Sequence, residues 1–154
     1  MKEIFIVTKK GKPFMSLDQT KTPLYDMLVD YKNRALDSYH VPGHKNGKIF
    51  SSRGMDEFQS FLQMDATEIT GMDDLHDAHG PIQEAQALAA DYFNSESSYF
   101  LINGSTAGNL AMLLTICQAG DKIIVQRNCH KSILHGLELA GAQPVFLAPS
   151  YEEQ

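Results

Sequence analysis

Residues 98–126, SYFLINGSTAGNLAMLLTICQAGDKIIVQ, decide the fold class. The mostly apolar run 98–102 has the length of a buried strand. A helix follows over 106–118, with Ala107, Leu110, Ala111 and Leu114 recurring on one face, and Gly120 stops it. A second strand occupies 122–126. Downstream, a helix over 132–140 is closed by Gly141, and a third strand spans 144–148. Upstream, Pro81 opens a helix whose Ile82, Ala85, Leu88, Ala89, Tyr92 and Phe93 share a face. Strands alternating with helices in this order predict an α/β fold with a mainly parallel sheet.

The rest of the chain is less regular. Thr22 and Pro23 begin a packing helix over 23–36, with Leu24, Met27, Leu28, Tyr31 and Ala35 at helical spacing. Between Ser38 and Gly80 the chain is rich in Gly, His and Asp, apart from a short helix around 55–64, and a long irregular stretch in a compact domain points to function. Residues 1–21 form a leader, read as an extension, in which Met15 offers a second start.

With 154 residues, 43% hydrophobic and 21% charged, the composition is that of a globular domain and excludes disorder and collagen-like repeats. Thirteen basic against nineteen acidic residues, net −6, give no electrostatic case for nucleic acid or an anionic membrane as partner. Cys117 and Cys129 are too few for a disulfide scaffold, and the start of the chain lacks the pattern of a secretory signal; both are read as thiols in a reducing cytoplasm. No run approaches the ~20 apolar residues of a membrane helix.

Three places carry chemistry. Asn103-Gly104-Ser105-Thr106-Ala107-Gly108-Asn109 lies between a strand's carboxyl end and a helix's amino end, where exposed amides, the helix dipole and two hydroxyls cradle a phosphate. An ordinary helix cap explains the same residues equally well. The run is neither GxxxxGK[ST] nor GxGxxG, so a monophosphate ligand fits it better than a nucleoside triphosphate or a dinucleotide. Arg127-Asn128-Cys129-His130-Lys131-Ser132 sits just past the next strand, where open α/β sheets place their ligands. There His130 is suited to lie against a flat ring, with a structural histidine, a metal ligand or a partner to a Cys129 nucleophile as alternatives. Lys131 offers an amine for a Schiff base, but as the first residue of an exposed helical turn it reads rather as a capping or solvated residue. Finally Asp73, Asp74, His76, Asp77 and His79 suit either a divalent metal, as in a metal-assisted hydrolase, or turn and capping duties. In PGHK, a turn explains Pro42 and Gly43 but not His44.

Taken in order, VPGHKNG (41–47), the run 65–69, GMDDLHDAHGPIQEAQALAADYF (71–93), YFLINGSTAGNLAM (99–112) and QRNCHKS (126–132) with HGLELAGAQPVFL (135–147) resemble the Orn/Lys/Arg decarboxylase family of pyridoxal-phosphate enzymes. The resemblance covers 22–154. It implies the start of the large cofactor domain of an aspartate-aminotransferase-like fold, an incomplete, mostly parallel three-layer sandwich behind an irregular amino-terminal segment. The expected organisation is leader 1–21, amino-terminal helix and active-site or dimer segment 22–80, and the first part of the pyridoxal-phosphate domain 81–154. By resemblance, Ser105 and Thr106 with the amide of Ala107 bind the cofactor phosphate, and His130 stacks on the pyridine ring as the catalytic residue carried by this chain. The implied reaction removes CO2 from arginine, lysine or ornithine, with the cofactor as electron sink. The implied assembly is a homodimer or larger, or a complementary fragment.

The aspartate that keeps the pyridine nitrogen protonated and the lysine that holds the resting cofactor as a Schiff base lie, in the family, downstream of the matched region. The expectation is therefore no decarboxylase activity for these residues alone, and apolar sheet surface left uncovered. The alternative is a noncatalytic module that binds a phosphorylated ligand or pairs with a full-length relative.

Overall fold

The computed structural model describes residues 16–150, which divide into two compact units, 16–100 and 101–150. In the first, three helices form: α1 (Pro23–Arg34), α2 (Ser52–Leu62) and α3 (Pro81–Tyr92), with α1 packed on α3. Proline in the first turn starts α1 and α3, where its missing N–H costs nothing. Helix α1 ends two residues before the expected 36, at Ala35 in the left-handed region. Thr22 precedes the helix but makes no side-chain cap; its hydroxyl bonds Asp26 instead. Tyr31 is the buried residue of α1, its hydroxyl donating to Asn46 Oδ1 at 3.1 Å. On α3 the buried positions are Leu88 and Ala90, while Tyr92, expected on the packed face, is half exposed.

Of the leader, 1–15 lie outside the described residues, and the part that follows is seated on α3. The Asp91 carboxylate accepts from the Leu17 amide at 2.9 Å, from the Ser16 amide and hydroxyl, and from Gln19 Nε2. These bonds, led by the Leu17 amide, hold the Asp91 carboxyl down at about 2. Lys21 adds an exposed ion pair to Glu84 at 3.1 Å.

The second unit is a βαβ unit with a preceding helix: α4 (Gly104–Ile116), β1 (Lys122–Gln126), α5 (Lys131–Ala140) and β2 (Gln143–Leu147). The strands pair in parallel, Lys122 opposite Gln143 through to Gln126 opposite Leu147, and α5 makes the crossover. Leu113, Cys117 and Leu137 form the core, with Ile123 and Val125 of β1 packed on it. Burying Leu113 and Leu137 contributes about 1.5–3 kcal/mol each. Gly136 lets the two helices approach: a Cβ there would lie 2.6 Å from Leu113 Cδ1. Gly141, at φ 67°, ends α5 with a left-handed cap.

Two expectations are corrected. The run 98–102 is not a strand; no strand among the described residues pairs with it, and Tyr99, Leu101 and Ile102 are more than half exposed. A strand exists only through a neighbour's hydrogen bonds, which an apolar run does not supply by itself. The buried residue of α4 is Leu113, joined in the core by Cys117 just past the helix; of the expected face, Ala107 and Leu110 are half-buried, whereas Ala111 and Leu114 are exposed, Leu114 by 51%. This helix is apolar on nearly every side, so its periodicity cannot choose a face. The α/β class stands, with a two-stranded parallel sheet whose Ile124 and Val145 remain exposed.

Candidate functional site

Helix α4 begins two residues earlier than the sequence predicts, which sets Ser105 and Thr106 within its first turn. Asn103 and Gly104 both take left-handed conformations, φ 63° and 68°, turning the chain sharply into the helix. Asn103 makes no side-chain cap, so the first-turn amides are left for another acceptor. Among the described residues, no hydrogen bond engages the hydroxyl of Ser105 or Thr106, and both residues are exposed. A Cβ added at Gly104 would meet nothing within 4 Å, so the backbone here is open to a ligand.

Facing this turn is the segment after β1. Ser105, Thr106, Asn103 and Asn109 line one open recess of about 480 Å³ with Gln126, Asn128, Cys129 and His130. The recess lies past the carboxyl end of β1 and at the amino ends of α4 and α5, both of whose dipoles favour an anion. Ser105, Thr106 and His130 are thus brought together; Ala107 does not line the recess. His130 is also the residue before α5, its ring accepting from the Ser132 amide. Both cysteines are free, Cys117 buried in the core and Cys129 partly exposed at the recess.

The acidic cluster has a different task. Asp73 Oδ1 accepts from the amides of Asp74 and His79, and Oδ2 from those of Gly80 and Ile82, at 2.8–3.0 Å. Burial alone would raise its pKa, but these four donors outweigh it and bring it from 3.8 to about 2. Asp73 therefore closes the loop 73–80 and caps α3 from outside the helix, where Gly80 has no side chain to do so. Among the described residues, no three His, Cys, Asp or Glu gather to hold a metal ion, so the cluster does not support the metal-assisted hydrolase. His44 also gains an explanation. The Gly47 amide donates to its Nδ1 at 3.2 Å, so Nε2 carries the hydrogen given to Asp65 Oδ2 at 3.0 Å. The histidine ties the turn after Pro42 to the chain beyond α2.

Asn109 and Ser132 end the two quoted motifs without a role of their own in the sequence; in the structure they bond each other and join α4 to the base of His130. A polar residue two places after a helix-capping histidine was the available signal; the α4 partner had none.

The fold and the recess define an α/β protein with an open crevice at the amino ends of two helices. Residues 22–154 match the profile of the Orn/Lys/Arg decarboxylase major domain, and the chain belongs to that family. It is 50% identical over 131 residues to the uncharacterized protein YaaO of Bacillus subtilis, covering 85% of this chain and 27% of that one. It is 39% identical over 142 residues to an arginine decarboxylase of Bacillus anthracis, covering 88% and 28%. Among solved structures, the constitutive lysine decarboxylase of E. coli superposes with a TM-score of 0.71 at 30% identity, covering 83% of this chain and 19% of that one. The chain spans about a quarter of the length of these two curated relatives. Among the described residues no helix is long and apolar enough to cross a membrane.

Proposed function

We propose that these residues are the amino-terminal portion of a pyridoxal-phosphate-dependent decarboxylase of arginine, lysine or ornithine, and that the recess between α4 and α5 holds the cofactor. The observation that carries this reading is the meeting, in one recess, of two unengaged hydroxyls on an uncapped helix turn with the imidazole of His130. The donor set fits the group. Ser105 and Thr106 would hold its phosphate, with the amides of the α4 first turn, and His130 would cover its ring. When bound, the cofactor supplies an electron sink for the charge left as CO2 departs. The chain's own part is to bind and orient: the helix dipole and hydroxyls fix the anionic end, and the imidazole limits tilt of the flat end.

The lysine and aspartate that the family resemblance implies are not among the matched residues, so the 154-residue chain is expected to bind pyridoxal phosphate reversibly and to form no amine from any of the three amino acids. Titration followed by absorbance, before and after borohydride, tests this. The expected result is saturable binding, competed by inorganic phosphate, with the cofactor released on denaturation after reduction. A stoichiometric reduced adduct on one lysine, or no competition by phosphate, contradicts it.

A further inference from the structure

Ser132 is 1% exposed, the most deeply buried polar residue among those described. Its hydroxyl accepts from Asn109 Nδ2 at 2.9 Å and so turns its own hydrogen to His130 Nδ1, 2.8 Å away. The Ser132 amide donates to the same nitrogen at 3.2 Å. A ring nitrogen whose lone pair meets two donors carries no hydrogen, so in neutral His130 the hydrogen belongs on Nε2. Capping α5 needs only the amide bond; the buried hydroxyl and its link to α4 go beyond it.

We propose that Asn109 and Ser132 are positioning residues that fix the tautomer and tilt of the His130 ring, placing its hydrogen on Nε2 and holding its face toward a heteroaromatic ligand in the recess. The identity of that ligand rests on the cofactor reading above, whereas the tautomer is a property of this chain alone. Outer partners of this kind set which ring nitrogen is protonated and hold the ring in place.

Histidine-ring nitrogen–proton NMR on the ligand-free 154-residue chain tests the proposal, with the His130 signals assigned by His130→Gln. The Nε2–H form is expected in about tenfold excess or more. Ser132→Ala and Asn109→Ala are each expected to shrink that excess and to weaken pyridoxal phosphate binding about 2- to 10-fold, and Ser132→Thr to restore both. A dominant Nδ1–H form, or alanine variants that leave tautomer and affinity unchanged, overturns the proposal. If Ser132→Ala does not fold, Asn109→Ala decides, because Asn109 is only partly buried. If the unaltered chain binds no pyridoxal phosphate yet shows Nε2–H, the cofactor reading falls and the tautomer assignment stands.

Discussion

Replacing Ser105 and Thr106 together by alanine is expected to lower the affinity of the chain for pyridoxal phosphate by about 10- to 100-fold. Each residue lines the recess, and in the proposed reading each hydroxyl donates to a phosphate oxygen, a charge-assisted bond that contributes about 1 kcal/mol or somewhat more in a partly solvated recess. The variant separates binding from folding. Both residues lie in the first turn of α4, neither side chain bonds another described residue, and alanine is the better helix former. The expected outcome is an unchanged unfolding midpoint beside a large rise in dissociation constant. Unchanged affinity would assign these residues to ordinary helix initiation.

Replacing Asp73 by asparagine destabilises the chain by about 2 kcal/mol near neutral pH. The carboxylate accepts four backbone N–H groups, and an amide keeps only one oxygen to accept them. Partial exposure of the side chain holds the loss to this size. The sign with pH follows from a folded-state value lowered from 3.8 to about 2. The stabilisation is complete above pH 4 and is lost as pH falls through 2, because protonation then costs the folded state more than the unfolded one. Urea unfolding should therefore show the difference between the two forms at pH 7 and a much smaller one near pH 2.5. An equal difference at both values would place the effect outside the carboxylate's charge.

What the sequence made legible was local. Pro81 and Gly141 mark helix ends through their own backbone preferences, and the strand at 122–126 shows in its apolar run and bounding turn residues. What stayed hidden depended on partners distant in the chain. The run 98–102 has a strand's composition and no described neighbour to pair with, and the all-round apolarity of α4 conceals that Leu113 faces the core. In the recess, Ser105 and Thr106 stand out locally as hydroxyls opening a helix, and His130 as an imidazole between β1 and α5, where open α/β sheets place their ligands. Asp73 was visible only as acidity, since its role depends on a loop that returns amides from as far as Ile82 to one carboxylate. Asn109 and Ser132, 23 positions apart, meet only through the packing of α4 on α5.

In the proposed function one recess grips a phosphate at α4 and a flat ring at His130. Amide-resolved NMR titration of the 154-residue chain with pyridoxal phosphate, then with inorganic phosphate, tests it most directly. The account predicts the largest shifts from pyridoxal phosphate at Gly104, Ser105, Thr106, Ala107 and His130, with inorganic phosphate reproducing those of the helix turn and sparing the His130 ring. Shifts centred in residues 16–100, or a helix turn that responds to neither compound, would contradict it.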